Sequence, residues 1–294
     1  MIIIMTALET GCVFALVALA LFLSYRILNI ADMTTDGAFT LGCAVSATLA
    51  VEGHPLMALP AAMAAGVAAG FVTAMLQTKF KIPSILAGII TNTGLYTINL
   101  GVMDFSSHVN MVKAETVFRM LRPYLGDYYK LIPGAVITLI AAVLLILFLN
   151  TRLGLSIRAT GDNPDMVRAS SINTAFTITV GLCIANALTA LSGAVYAQYM
   201  RTAEINMGTG MVIIGLASLI IGETLMPRKN IFLKVLGAVI GSVLYRFVIS
   251  LALWLELSTE YLKLVSATIV ALAIGLPAIK GSKKPAVKGG KEKC

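Results

Sequence analysis

Residues 131–149 read LIPGAVITLIAAVLLILFL and contain no charged side chain. A run of about 20 such residues is the length that a helix needs to cross the hydrocarbon core of a bilayer. The whole chain has this character, because 58% of its 294 residues are hydrophobic, 12% are charged and its mean hydropathy is +0.91. Soluble domains carry about 25% charged residues. The composition therefore predicts an integral membrane protein without a large soluble domain.

Apolar runs of similar length recur along the chain and predict an all-α polytopic membrane protein with about nine transmembrane helices. The predicted spans are 4–25, 35–51, 57–78, 83–103, 131–149, 173–197, 208–222, 231–252 and 262–279. The second span is short, and the fourth contains several Thr and Asn residues, so either is a candidate for a broken or re-entrant helix. Residues 1–279 are predicted to form one transmembrane domain, and residues 280–294 a basic, disordered cytoplasmic tail.

Lysine and arginine residues set the predicted orientation. The net charge of +8 comes mainly from the connections and the tail, so it indicates topology rather than nucleic-acid binding. The lysines of residues 280–294 place the C-terminus in the cytoplasm, and nine spans then place the N-terminus outside. The connection 104–130 falls outside in this scheme and is predicted to hold an amphipathic helix on the membrane surface.

A charged segment with a helix-start signal lies between two apolar runs, at residues 155–173, and reads LSIRATGDNPDMVRASSIN. Asn163 is a favoured N-cap, Pro164 fits the first helical position, and Asp165 suits the positive end of the helix dipole. The signal predicts a short helix from Pro164 to about Ser170 at the cytoplasmic surface.

An exposed apolar edge is predicted on this short helix, formed by Met166 and Val167 with Ala169. Such an edge suits a groove on a partner protein. The alternative is an ordinary surface helix that joins two spans, and the residues alone leave both interpretations open.

The stretch TRLGLSIRATGDNPDMVRASSINTAFTITVGLCIANALTALSGAVYAQ, residues 151–198, resembles the central region of permease subunits of bacterial ABC importers of the branched-chain amino acid and ribose type. The family pattern T-x-x-G-x-x-x-R-A-x-G-x-N is carried here by Thr151, Gly154, Arg158, Ala159, Gly161 and Asn163. Ser171-Ile172 stands where the family has Gly-Ile. The opening GCVFALVALALFLSYRILNIADMTTDGAFTLGCAV, residues 11–45, is also similar, and its NIADMTTDG is closer to the less characterised permeases associated with aromatic amino acids.

The resemblance implies that the short helix is a coupling helix that docks on an ATP-binding subunit. The residues expected at this contact are Arg158, Gly161, Asn163, Pro164, Asp165, Met166, Val167, Ala169, Ser170 and Ser171. The implied partners are an ATP-binding subunit dimer, a second permease copy as homodimer or close relative, an extracytoplasmic substrate-binding protein and membrane lipid. The implied location is a bacterial cytoplasmic membrane.

The chain lacks the motifs of an enzyme or an ATPase. It has no G-x-x-x-x-G-K-[ST] sequence, no Cys-x-x-Cys or Cys/His cluster, and two histidines only. We therefore expect a non-catalytic subunit that binds no metal and no cofactor, with ATP and magnesium on the partner subunit. The expected function is ATP-driven inward movement of a small solute by alternating access, and the resemblance indicates an amino acid, with aromatic ones among the candidates.

Polar side chains inside the predicted spans are candidates for the translocation path: Glu9, Thr91, Asn92, Thr93 and Asn186. Each has a second interpretation, because Glu9 can snorkel to the outer surface and the others can hydrogen-bond between helices. Arg201 and Glu204, with the connection 104–130, are candidates for contact with the binding protein.

An ion-coupled secondary transporter is the alternative function. Its coupling carboxylates would be Glu9, Asp32 and Asp36. Asp32 and Asp36 also lie where they can cap the second helix or shape an inner gate, so the sequence leaves their role open.

Overall fold

The computed structural model describes residues 2–226 and 230–254, together with Thr268. Six helices within these residues are long and apolar enough to cross a membrane, and two shorter apolar helices accompany them. The prediction of an all-α, multi-pass membrane protein is confirmed. The ninth predicted span, 262–279, and the tail, 280–294, lie outside the described residues.

The described part of the chain forms these elements in order: α1 (Ile2–Leu21), which continues as a π-helical segment (Phe22–Ile27), α2 (Thr35–Val51), α3 (Pro55–Thr78), α4 (Ser84–Val102), β1 (His108–Asn110), α5 (Val117–Leu125), a 3-10 turn (Gly126–Tyr128), α6 (Leu131–Leu149), α7 (Arg152–Asp162), α8 (Pro164–Ala169), α9 (Thr174–Met200), β2 (Thr202–Glu204), α10 (Met211–Leu225) and α11 (Ile231–Trp254). The two short strands pair antiparallel, with His108 opposite Glu204.

Side-chain caps start several of these helices. Thr151 accepts the backbone N–H of Gly154 and begins α7, and Asn173 accepts that of Phe176 and begins α9. Thr116 begins α5 in the same way, so the helix expected in the connection 104–130 is present. These caps satisfy backbone donors that the first helical turn leaves without partners.

Both segments that were candidates for a break are continuous helices. The break considered for the fourth span is absent, because Ser84–Val102 is one uninterrupted helix. Its threonine hydroxyls bond back to the helix's own carbonyls. Thr91 donates to Ala87 O at 3.0 Å and Thr93 to Ile89 O at 2.9 Å. A carbonyl oxygen has two lone pairs, so it can accept the hydroxyl as well as the helical N–H.

Helix α9 lies at the centre of the bundle and packs against α2, α3 and α1. Glycines allow the closest approaches, since Gly42 of α2 lies directly against the Ala190 carbonyl and Gly193 of α9 against the Phe39 carbonyl. Small residues at such contacts are typical of helix packing in membranes. Helix α1 is buried to the same extent as α9, and it packs on α11 and α9.

The bundle has two ends. One carries α7 and α8, and we call it the α8 end; the other carries β1, β2 and α5, and we call it the hairpin end. Two helices are too short to reach from end to end: α2 has 17 residues and α10 has 15. At 1.5 Å per residue they measure about 25 and 22 Å, below the ~30 Å hydrocarbon core.

Candidate functional site

The N-termini of the two short helices meet through the side chain of Asp36, in the first turn of α2. Its Oδ2 accepts the backbone N–H of Gly210 and its Oδ1 that of Val212, both at 2.9 Å. These donors belong to the start of α10, where unpaired N–H groups favour a carboxylate. A cap on its own helix was one of the roles considered for Asp36, and its carboxylate instead caps α10.

Asp32 accepts a hydrogen bond at the start of α2, from the residue that precedes the helix. Its Oδ1 accepts the backbone N–H of Thr34 at 2.9 Å, and its Oδ2 accepts Nδ2 of Asn186 at 2.8 Å. Asp32 is 3% exposed and Asn186 fully buried. The pair ties the connection before α2 to the middle of α9, which is a structural role for two residues considered as transport groups.

A polar pocket of about 330 Å³ lies beside the Asp36 cap. It is lined by residues of α2, α4 and the connection before α10: Asp36, Gly37, Thr40, Asn92, Thr93, Tyr96, Asn99, Ile205, Asn206 and Thr209. Asp36 alone among these lining residues carries a formal charge. The volume lies at the lower end of the range for small-molecule sites, about 300–1,000 Å³.

Two asparagines of α4 face α2 across Gly37. Asn99 donates from Nδ2 to the Gly37 carbonyl at 3.2 Å, and a Cβ at position 37 would lie 2.5 Å from Oδ1 of Asn92. Asn92 and Asn99 are seven residues apart, which places both on one face of the helix. The absent side chain of Gly37 is therefore what lets both amides approach α2.

One side of the pocket opens onto the surface of the chain. Thr93, Tyr96, Asn206 and Thr209 are exposed there, with Tyr96 51% exposed. Polar groups at a lipid-facing surface are costly unless protein covers them or they line an aqueous space. The open side is therefore suited to a protein partner within the membrane.

The structure gathers only part of the predicted path set. Asn92 and Thr93 line the pocket, whereas Thr91 points to an apolar groove between α2, α3 and α4. Glu9 is 9% exposed and accepts a hydrogen bond from the Tyr199 hydroxyl at 2.9 Å. Glu9 thus neither extends to solvent nor lines this pocket, and Asn186 bonds Asp32 as described above.

Helix α8 forms as the cap signal predicts and ends one residue earlier than expected, at Ala169. Oδ1 of Asn163 accepts the backbone N–H groups of Asp165 and Met166 at 3.1 and 3.0 Å. Asp165 also lies 3.4 Å from the Arg168 guanidinium. Most of the helix and the residues after it are exposed at this end: Pro164, Asp165, Met166, Arg168, Ala169, Ser170 and Ser171.

The apolar edge of α8 differs from the prediction. Met166 is 59% exposed, but Val167 is 1% exposed and packs into the bundle, so the expectation that Val167 is exposed is wrong. On a helix, neighbouring residues point about 100° apart, so Val167 can face the bundle while Met166 faces outward. Ser171 has φ of +61°, the left-handed region in which glycine is favoured, and it stands where the family pattern has Gly.

Helix α7 links this surface to α1. Gly161 lies directly against the Ile27 carbonyl, at the end of the π-helical segment. Arg158 of the same helix is half-buried. Within that π-helical segment, Arg26 Nε lies 2.7 Å from Glu223 Oε1 of α10, an ion pair by distance rather than a directed hydrogen bond. π-helical turns occur frequently at functional sites.

The hairpin end holds the residues proposed for binding-protein contact. Glu204 is exposed on β2, with Oε1 3.6 Å from Nδ1 of His108. Arg201 ends α9 in the left-handed conformation, and its carbonyl accepts the N–H of Met111. Gln198, 1% exposed, joins α5 to this end by accepting the N–H of Val117.

Sequence reasoning missed several pocket residues, among them Asn99, Tyr96 and the connection 205–209. The spacing of Asn92 and Asn99 was the available signal, since it repeats after two helical turns. The strands were missed because each has three residues. The sequence of the connection before α10 does not indicate that it lines a pocket. It is held there by a hydrogen bond from Gly210 to Asp36, which is 174 residues away in the chain.

Comparisons with known proteins agree with this architecture. The family model described as branched-chain amino acid transport system, permease component, matches residues 3–274. The tyrosine transport system permease protein of Clostridioides difficile (strain R20291) is 33% identical over 268 residues, which cover 91% of this chain and 88% of that protein. The ribose import permease protein of Escherichia coli (strain K12) is 27% identical over 250 residues, covering 83% and 75%. No solved structure matches the chain significantly.

The family match spans most of the chain, including the charged segment with α8 and the two short helices. It agrees with the resemblance read from residues 151–198. The chain therefore belongs to the branched-chain amino acid transport system permease family, the transmembrane subunits of ABC importers.

Proposed function

We propose that this chain is the transmembrane subunit of an ABC importer that moves a small solute into the cell by ATP-driven alternating access, and that the solute is an amino acid, with aromatic ones favoured. The observation that carries the proposal is α8, a capped surface helix with an exposed Met166, joined to the membrane helices through the Gly161–Ile27 contact. The tyrosine permease relative supports an aromatic amino acid as the solute.

The docking surface of α8 binds the ATP-binding subunit in this proposal. Its contact residues are the exposed ones around Met166, together with the half-buried Arg158 and Gly161 of α7. Val167 supports the helix from within. ATP and magnesium bind to the partner subunit, since the sequence has no phosphate-binding G-x-x-x-x-G-K-[ST] motif, and this chain catalyses no reaction.

The polar pocket forms part of the solute path, and a second copy of the chain or a close relative covers its open side. The exposed Thr93, Tyr96, Asn206 and Thr209 support this arrangement, because a partner in the membrane would shield them from lipid. Asn92 and Thr93 are the members of the predicted path set that line it. The solute path runs along α4, because the polar residues of this helix line the pocket and would be costly against lipid.

The proposed importer also has a defined orientation in the membrane. The α8 end lies in the cytoplasm, and the hairpin end, with Arg201 and Glu204, faces an extracytoplasmic substrate-binding protein. Residues 1–279 make up one permease domain in a bacterial cytoplasmic membrane, with 280–294 as a basic cytoplasmic tail. The basic residues of the connections at the α8 end, such as Lys79, Lys81 and Arg152, support this direction.

Ion coupling receives less support. Each of its three carboxylates is already engaged by donors of this chain: Glu9 by Tyr199, Asp32 by Thr34 and Asn186, and Asp36 by the start of α10.

Reconstitution tests the proposal. The chain is purified with its ATP-binding subunit and binding protein, placed in liposomes, and uptake of labelled L-tyrosine is measured with and without internal ATP. ATP-dependent uptake that is insensitive to sodium and proton ionophores supports the importer. Uptake that requires an ion gradient and not ATP contradicts it.

A further inference from the structure

Helix α10 runs from the polar pocket to the α8 end. At its start, the backbone N–H groups of Gly210 and Val212 bond to Asp36, and Thr209 just before them lines the pocket. Its last turn carries Glu223 at the opposite end. The helix is uninterrupted between these points, over a length of about 22 Å. Because a helix is stiff along its axis, movement of its last turn is carried to the pocket wall.

The last turn of α10 is tied to α1 by charge. Arg26, in the π-helical segment that continues α1, has its Nε 2.7 Å from Oε1 of Glu223, and this oxygen is shielded from solvent. Leu21 of α1 also packs at Gly215 of α10, an apolar contact nearer the middle of the helix. Apolar contact is non-directional, whereas an ion pair favours a particular separation of two side chains. Arg26 and Glu223 therefore set the position of the π-helical segment relative to the end of α10.

The same π-helical segment meets α7. Gly161 of α7 lies directly against the Ile27 carbonyl, one residue after Arg26, and leaves no room for a methyl group. Asn163 ends α7 and caps α8, with its own N–H bonded to the Ala159 carbonyl. Helices α7 and α8 thus share one joint, so displacement of α8 reaches the π-helical segment through α7.

The π-helical segment has features of a deformable element. π-helical turns are rare overall and frequent at functional sites. The Oγ of Ser24 is buried and has no hydrogen-bond partner in the part of the chain that the structure describes. A buried hydroxyl without a partner costs free energy, and the contacts with α7 and α10 help to offset that cost. Movement of either neighbour therefore changes the balance that holds the segment in this arrangement.

We propose that Arg26 and Glu223 are positioning residues for transport, whose ion pair passes movement of α8 on to α10 and so to the wall of the polar pocket. We call the connected set of α8, α7, this ion pair and α10 the relay. The inference rests on the proposed function, because binding of ATP to the partner subunit is what moves α8. The pair is partly open to solvent, with side chains 39% and 18% exposed, so it contributes little to stability. Its removal should therefore interrupt the relay and leave the fold intact.

ATP-dependent labelling of a cysteine at the pocket tests the relay. Thr209→Cys is introduced into the full chain, co-purified with its ATP-binding subunit, after the four native cysteines are changed to alanine. The rate of maleimide labelling is measured with and without magnesium and ATP, and the ratio of the two rates reports whether movement reaches the pocket. The measurement needs no solute, so it does not depend on which molecule is transported. Lys113→Cys, in an exposed loop at the hairpin end, is the control reporter.

We expect ATP to change the labelling rate at position 209 about fivefold, the lower end of the usual coupling between two sites, and not at 113. Arg26→Gln and Glu223→Gln should each abolish this dependence on ATP while the ATP-binding subunit stays bound. Arg26→Lys keeps the positive charge and should keep the dependence. Arg26→Glu combined with Glu223→Arg restores an ion pair of reversed polarity and should keep it as well.

A second contact of α7, with α9, supplies a matched control. The hydroxyls of Thr160 and Thr177 join these two helices at 2.9 Å. Thr177→Val removes that hydrogen bond and leaves the ion pair in place, so labelling at position 209 should still depend on ATP. Loss of the dependence in this variant, with retention in Glu223→Gln, would mean that movement travels through α9 and would contradict the relay.

Three further results would overturn the relay. They are unchanged ATP dependence in both neutral variants, its loss from monodisperse Arg26→Lys and from the reversed pair as well, and labelling of the parent that does not depend on ATP although the ATP-binding subunit is bound. The last result contradicts the relay alone, because association of the two subunits is intact. Absence of the ATP-binding subunit from the purified parent contradicts the proposed function and the relay with it.

Discussion

Asp36, in the first turn of α2, accepts the backbone N–H of Val212, in the first turn of α10, across 176 residues of sequence. A side chain in the first turn of α2 thus caps the N-terminus of α10. Their junction lies beside the polar pocket, so movement of either helix changes the pocket wall. This relationship explains why two helices too short to span the bilayer are held at a fixed depth.

Removing this cap should loosen α10. Asp36→Ala deletes both acceptors and should lower the free energy of unfolding by about 1–2 kcal/mol, the usual cost of losing an N-cap. Asp36→Asn retains one acceptor and should cost less. Thermal unfolding in detergent, followed by size-exclusion chromatography, measures the effect. Asp127→Ala, in an exposed turn, is the control and should change nothing; equal stability of Asp36→Ala and the parent would contradict the capping role.

Close contact between α7 and α1 should be essential for coupling. Gly161→Ala places a methyl group against the Ile27 carbonyl, and such overpacking costs about 1–3 kcal/mol. We expect ATP-dependent uptake to fall strongly, because the displaced helix carries α8. Gly134→Ala is the matched control, since its new methyl would meet only Val13 Cγ2 at 3.9 Å. Full uptake by the Gly161 variant would show that the contact is dispensable.

The carboxylate of Glu9 should be dispensable for transport. Glu9→Gln keeps an oxygen that accepts the Tyr199 hydroxyl, so uptake and stability should stay near parental values. Glu9→Leu leaves that buried hydroxyl without an acceptor and should cost about 1–3 kcal/mol of unfolding free energy. Uptake measured across a pH series decides between the two classes of transporter. Abolished uptake in a stable Glu9→Gln protein would favour ion coupling over the importer.

Local signals predicted most of the architecture. The apolar runs located the membrane helices within a few residues, and Asn163-Pro164-Asp165 located α8 because a cap acts on the turn that follows it. The exposure of Val167 was predicted wrongly, since six residues of helix give too short a pattern to show which side chain faces the bundle.

Long-range relationships could not be predicted from the sequence. The partner of Asp36 lies in a connection without its own signal, and Asn186 bonds Asp32 from 154 residues away. The pocket depends on Gly37, whose missing side chain admits Asn92 and Asn99. Nothing in the sequence pairs that glycine with α4, because the contact exists only after the helices have packed.

The most direct test of the central claim uses the exposed methionine of α8. The chain is co-expressed with its ATP-binding subunit and purified through its own tag, as the parent, as Met166→Glu and as Met57→Glu. Met57 is 68% exposed at the start of α3, at the hairpin end, so it is a matched control for an exposed methionine. We predict that the ATP-binding subunit co-purifies with the parent and the Met57 variant and is lost from a monodisperse Met166→Glu protein. Undiminished association of the Met166 variant would contradict the assignment of α8 as the coupling helix.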